Sequence, residues 1–210
     1  MPEDDQRGGE PQASHGPEPI LNVRGERVAL GPLRRDLVPL YTRWINDPQV
    51  LRTLGVLPLP MTTDAEERWY DAAIAGAERH FTIYRLEGMD AIGVCDLRDI
   101  DHRNRAASLG ILIGDAENRG QGYGTEALRL LLDVGFTVLG LHNISLSSYS
   151  YNLAGQRCYA RVGFREVGRR RECRLLNGVL HDEIYMDMLA TEFTSPVLAR
   201  IFAPDVARHP

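Results

Sequence analysis

The chain has no lysine. All 24 of its basic residues are arginines, which excludes a phosphate loop of the G-x-x-x-x-G-K-[ST] kind, whose lysine reaches the outer phosphates. Arginine codons are GC-rich and lysine codons are not, so the bias points to a GC-rich coding sequence rather than to a function. Cysteine is scarce. Cys95, Cys158 and Cys173 are odd in number and widely spaced, forming neither a CxxC pair nor a disulfide framework, which fits a reducing compartment. No apolar run nears the roughly 18 residues of a membrane-spanning helix. The opening MPEDDQRGGEPQASHGPEPI also lacks the apolar stretch of a signal peptide, so the expected location is the cytoplasm, away from membranes. Positive charge is not in excess. The net charge of −5 argues against nucleic acid as a partner and favours a cationic amine; Arg169-Arg170-Arg171 reads as a solvated face. There is no internal repeat, and no metal is expected.

What is present is ordinary for a soluble globular protein: 43% hydrophobic and 25% charged residues. The 210 residues suffice for one domain with a full core and two tails. Residues 1–20, rich in Pro, Gly, Glu and Gln, are expected to be a disordered tail. Residues 21–193 form the domain and 194–210 a C-terminal tail, in which SPVLARIFAPDVA has the apolar character to dock as a short helix or to serve a partner surface. A homodimer is compatible with this reading.

Along the domain, Arg27–Leu33 reads as a strand stopped by Gly31-Pro32. Asp36 caps a helix running to Asn46, with Leu37, Leu40, Tyr41, Trp44 and Ile45 on one face. A loop spans Gly55–Pro60. Thr63 or Asp64 caps a second helix to Glu78, with Trp69, Ala72 and Ala73 inward. Strands follow at His80–Leu86 and Ala91–Leu97 across a Gly88-Met89-Asp90 turn. After a turn at Asp101–Asn104 comes Ala106–Ile113, whose nearly continuous apolar run marks a central strand. The next helix buries Leu128, Leu131, Leu132, Phe136 and Leu139. Ile144–Tyr149 is a strand, and Asn152 opens a helix through Arg161 that Gly163 ends. Phe164–Arg174 and Val179–Leu189 form a hairpin across Asn177-Gly178. The order β-α-α-β-β-β-α-β-α-β-β predicts an α/β (α+β) domain, a mixed, mostly antiparallel sheet flanked by helices.

The chain is organised around Arg119-Gly120-Gln121-Gly122-Tyr123-Gly124, which runs straight into a helix. Alternate glycines let the backbone turn tightly and approach a ligand closely. The helix start adds unpaired N–H groups and the positive end of its dipole. Together these suit a phosphate or pyrophosphate, and Arg119 adds a positive charge at the entrance. A tight strand-to-helix connection is the plainer alternative. The G-x-G-x-x-G dinucleotide pattern does not fit, because position 125 is Thr.

A second motif bears on which phosphate ligand is meant. Asn152 to Phe164 reads N-x-A-x-x-x-x-Y-x-x-x-G-F, with Asn152 a natural helix cap and Tyr159 two turns along the same face. Tyr159 by itself is either a packed aromatic or a proton donor. The two motifs, in this order and at this spacing, resemble the GNAT superfamily of acetyl-coenzyme A-dependent N-acetyltransferases. The start GERVALGPL, Trp44-Ile45-Asn46-Asp47-Pro48, the Asp99–Arg105 stretch and the Gly178–Leu189 ending are similar to its branch of ribosomal-protein N-terminal, spermidine and antibiotic acetyltransferases. The resemblance covers about residues 21–190.

The resemblance implies acetyl-CoA as co-substrate and an amine of a small molecule or a peptide or protein N-terminus as acceptor. The backbone of Ile111, Leu112 and Ile113 would pair with the pantetheine arm. The N–H groups of Arg119, Gly120, Gln121, Gly122, Tyr123 and Gly124, with Thr125, would hold the pyrophosphate. Asn152 would bond the pantetheine region, and Arg157 and Arg161 would either reach the 3′-phosphate or face solvent. Tyr159 would protonate the departing thiolate after direct attack of a neutral amine on the thioester, and the two bound reactants gain rate by proximity. A backbone N–H near Ile111–Ile113 would serve the oxyanion. In the branch that acetylates N-termini a glutamate commonly sits where this chain has Ser108. A serine only orders water, so Asp96 on the neighbouring strand is the candidate base, perched between that role and a solvated strand end. Tyr41, Trp44 and Trp69 would line the acceptor pocket or pack at core spacing. The missing glutamate leaves one alternative open, a non-catalytic acyl-CoA-binding protein on the same fold.

Overall fold

A computed structural model of the chain describes residues 18–55 and 59–205. The tail expected over residues 1–20 thus falls, but for residues 18–20, outside the described residues, as does the middle of the Gly55–Pro60 loop. The strands are β1 (Val23–Arg24), β2 (Val28–Pro32), β3 (Arg79–Arg85), β4 (Ala91–Asp101), β5 (Ala106–Ile113), β6 (Asn143–Tyr149), β7 (Arg165–Leu176) and β8 (Val179–Leu189). The helices are α1 (Val38–Ile45), α2 (Pro48–Leu51), α3 (Thr63–Ala75), α4 (Tyr123–Asp133), α5 (Leu153–Val162) and α6 (Leu198–Ile201). The strands form one sheet in the order β1-β2-β3-β4-β5-β6-β8-β7. Every neighbouring pair is antiparallel except β5 on β6.

Alternation along the strands divides the core in two. On one face Val94 and Leu112 pack under α1 and α3, against Val38, Tyr41, Trp44 and Tyr70. On the other, Cys95, Leu97, Leu109 and Ile144 pack under α4, whose Ala127, Leu128, Leu131 and Leu132 are fully buried. The parallel contact lies in the middle of the sheet and is short. Only Ala106↔Asn143, Ala107↔Ile144 and Ser108↔Ser145 are paired. Beyond them β5 stays with β4 as far as Ile113, and β6 stays with β8 as far as Tyr149. The sheet therefore parts between Leu109–Ile113 and Leu146–Tyr149, and the backbone edges there are left without a ladder partner.

The first third of the chain departs from the sequence reading. Strand β2 does stop at Gly31-Pro32, with Pro32 opposite Phe81, but β1 is an additional strand. Asp36 does not cap α1. Its carboxylate takes two bonds from Arg34, at 2.9 and 2.5 Å, inside a 3-10 turn at Arg35–Leu37 that precedes the helix. Asp47 instead caps the short α2, accepting from Gln49 N–H at 2.8 Å. In α3 the cap is Thr62, which accepts from Ala65 N–H at 3.2 Å, and the helix ends before Gly76. Its buried residues are Glu66 and Tyr70, whereas Ala72 is exposed. A large ring gains more from the core than a methyl group does, and that sets the rotation of the helix.

At the other end, α6 packs with Leu198 buried. Asp133, the last residue of α4 and wholly buried, accepts from Val197 and Leu198 N–H at 3.0 and 2.8 Å and from the Thr137 hydroxyl at 2.7 Å.

Candidate active site

The glycine-rich turn lies at the open end of the parting. Gly120 and Gly122 take φ of 74° and 88°, left-handed values that would strain any residue with a Cβ. Gly122 occupies the cap position of α4, so helical geometry begins at Tyr123. None of the N–H groups from Gly120 to Thr125 donates to another described residue. A run of unpaired N–H groups over a left-handed turn and a helix start is an anion nest. The donor chemistry fits a diphosphate.

Arg119 does not belong to that nest. Its N–H is used on Ala116 O at 3.1 Å. Its guanidinium turns back to Asp47 at 2.9 Å, to Ile113 O at 3.1 Å and to Gly114 O. The positive charge expected at the entrance instead ties β5 to α2, because a carboxylate and two strand-end carbonyls lie within its reach. The Thr125 hydroxyl is likewise engaged, 3.2 Å from Cys158 Sγ, where it joins α4 to α5. Arg157 is exposed on α5.

On the parting itself, Ile111, Leu112 and Ile113 are all partly exposed, as an edge awaiting a ligand backbone would be. The Ile113 carbonyl is already taken by Arg119. Asn152 caps α5, accepting from Gly155 N–H at 3.1 Å, and its amide lies 3.4 Å from the Ser148 hydroxyl. Tyr159 packs on the α4 core with its ring edge-on to Phe164 at 6.3 Å. Its hydroxyl has no hydrogen-bond partner among the described residues. Burial, with a smaller contribution from Cys158, pushes its pKa up to about 12. The phenol is thus a held proton with no acceptor for it among the described residues.

Across the sheet, Asp96 stands opposite Gly110 on β5 and His80 on β3. Its Oδ2 lies 2.8 Å from where a Gly110 side chain would begin, so the carboxylate covers the first turn of the parting. Burial raises its pKa, with Arg98 and His80 opposing. Arg98 Nε is 3.1 Å from Oδ1 but is not aligned for a hydrogen bond, and Oδ1 is buried without one. Ser108 shares the sheet face of Asp96 but does not bond it. Its hydroxyl donates to Asp99 Oδ2 at 2.6 Å.

Tyr41 and Trp44 are core residues, 3% and 2% exposed, and line no acceptor cavity. Tyr41 O–H meets Thr82 Oγ1 at 2.6 Å, and Trp44 Nε1–H reaches Asp115 at 3.2 Å. Trp69 alone of the three borders the site, edge-on to His80 at 5.7 Å. His80, whose Nε2 is 2.9 Å from Glu78, was not singled out from the sequence. Counting back equally on both sides of Gly88 would have set it opposite Asp96. Equally unforeseen is the end of β6, where Tyr149 and Tyr151 stack at 5.4 Å beneath Arg174 and Arg52. Tyr151 O–H and Arg174 donate to Arg52 O and Leu54 O, tying the segment after α2 to this wall.

Comparison with known proteins agrees with the geometry. The acetyltransferase (GNAT) domain family matches residues 27–165. The chain belongs to this family. Spermidine N-acetyltransferase from Vibrio cholerae, solved in complex with CoA and spermine, superposes with a TM-score of 0.74 at 27% identity, covering 80% of this chain and 98% of that one. Spermidine N(1)-acetyltransferase of Escherichia coli is 28% identical over 159 residues, 76% of this chain and 84% of that protein. The uncharacterized N-acetyltransferase p20 of Bacillus licheniformis is 25% identical over 171 residues, 80% and 96%. This GNAT acetyltransferase has the mixed, mostly antiparallel sheet expected of it, and acetyl-CoA is its co-substrate. Among the described residues no helix is long and apolar enough to cross a membrane.

Proposed function

We propose that this GNAT enzyme acetylates a primary amine of a cationic small molecule by direct transfer at the parting of β5 and β6. The observation that carries the reading is the placement of Asp96. Tyr159 belongs to the α5 face of the sheet and Asp96 to the α1/α3 face, so the opening is where an acid and a base from opposite faces can serve one reacting centre. The edges of Ile111–Ile113 offer backbone pairing to the pantetheine arm, and the nest from Gly120 to Thr125 takes the diphosphate. Asp96, desolvated and raised above an ordinary carboxylate, accepts the proton of the incoming ammonium directly or through water. Tyr159, protonated at any ordinary pH, supplies the proton that the leaving thiolate needs.

The face that receives the acceptor carries carboxylates and arginines together, with Arg98 on Asp96 at 3.1 Å and Arg170 on Glu183 at 3.9 Å. Beside Asp96 it carries Glu183 and Asp187 on β8, opposite Tyr149 and Ser145. Glu183 accepts from Tyr185 O–H at 2.9 Å, and Asp187 accepts from Asn143 at 2.9 Å. The presence of spermidine N-acetyltransferases among the similar proteins favours a polyamine over the other acceptors of the branch. The deciding measurement is thiol release from acetyl-CoA across spermidine, spermine, monoamines, an aminoglycoside and short peptides with free N-termini. Turnover with the polyamines is expected. Faster turnover with peptides would overturn the acceptor class, and no turnover with any amine, while acetyl-CoA still raises the melting temperature, would favour the acyl-CoA-binding alternative.

A further inference from the structure

The diphosphate nest has lost the cation that the sequence offered it, because Arg119 is turned toward Asp47. Another arginine stands in its place. Arg27, at the end of the turn between β1 and β2, donates through Nη1 to Gln121 O at 2.8 Å. Its guanidinium lies over the Tyr123 ring, 4.4 Å from the centroid, and Nη1 is 3.5 Å from where a side chain on Gly122 would begin. No carboxylate among the described residues pairs with it, and the side chain is exposed.

This placement is built rather than incidental. Glu126, in the first turn of α4, accepts from the backbone N–H groups of Glu26, Arg27 and Val28, at 2.7, 2.9 and 3.3 Å. One carboxylate oxygen thereby fixes the β1–β2 turn to the helix that carries the nest. It also anchors the backbone of Arg27 itself. A guanidinium with donors to spare, stacked on a nest residue and bonded to a nest carbonyl, is an anion-recognition group in waiting.

We propose that Arg27 is the cation of the coenzyme A diphosphate site. This rests on reading Gly120–Thr125 as that site, and the test separates the two. Binding to the purified protein is measured calorimetrically for coenzyme A and 3′-dephospho-coenzyme A, and by competition for pantetheine, which has no phosphate. Arg27→Gln is expected to weaken the first two about ten-fold, to leave pantetheine unchanged and to make the coenzyme A affinity less dependent on ionic strength. Arg27→Lys should restore most of the affinity.

Weakening of pantetheine to the same degree, or an unchanged salt dependence, would make Arg27 only a brace for the turn and overturn the proposal. A loss seen with coenzyme A but absent with the dephospho form would move the contact to the 3′-phosphate and overturn the assignment to the diphosphate. Gly122→Val tests the nest itself. If that variant binds coenzyme A as well as wild type does, the reading of the nest fails. If it weakens coenzyme A while Arg27→Gln does not, the nest stands and the proposal for Arg27 fails.

Discussion

A proton waiting on a phenol is useful only if the phenol keeps it. Burial pushes Tyr159 to about 12, so the residue stays neutral at every pH at which an amine acceptor would be assayed. Tyr159→Phe is expected to leave coenzyme A binding intact and to lower kcat by about 10²–10⁴-fold, the usual contribution of a general acid; unchanged turnover would remove the residue from that role. Asp96 makes the opposite demand. It works only when deprotonated, and burial moves its pKa upward, so kcat/KM should fall as pH drops through that raised value. Asp96→Asn should lower kcat/KM about 10²-fold and abolish the acid limb. A limb that survives the substitution would assign the base elsewhere, with His80 and Glu78 the adjacent titratable groups.

At the scale of elements, α4 is held at both ends by carboxylates that accept from distant backbone. Asp133→Ala would leave the Val197 and Leu198 N–H groups without their acceptor and is expected to cost about 1–3 kcal/mol, read from urea unfolding. Amide exchange over residues 197–201 should accelerate with it; unchanged exchange there would show that Leu198 packing alone holds α6. Such contacts mark the limit of what the sequence shows. Asn152 and Gly163 bracket α5, and Asn177-Gly178 turns the β7–β8 hairpin, because caps and turns act within a few residues and their chemistry is local. Strand β5 was legible to the residue for a similar reason, since its apolar run is bounded by a turn and by the glycines. Arg119 was misjudged because its partner, Asp47, lies 72 residues away. Tyr41 and Trp44 sit at core spacing, but which of the aromatic residues would pack and which would border the site was open until their helix was set against a particular face of the sheet. Arg27 and Glu126 lie 99 residues apart, and neither has any local feature that names the other.

At the scale of the whole molecule, the net charge of −5 gives the chain a negative field overall. For a polycationic acceptor the KM should rise several-fold as salt is raised from about 0.05 to 0.5 M, because the Debye length shrinks from more than 10 Å to a few. The change for a monoamine should be much smaller. Equal salt dependence for both would mean that the field plays no part in selecting the acceptor.

The grip of Asp133 on the last helix also bears on how the protein is made. Val197 is synthesised 64 residues after Asp133. Through that interval the carboxylate that ends α4 lacks the two backbone N–H donors that it has in the folded chain. A nascent chain stalled short of Val197 therefore has its coenzyme-binding motifs translated but one flank open. Closure of this flank is therefore expected to wait for Val197 and Leu198.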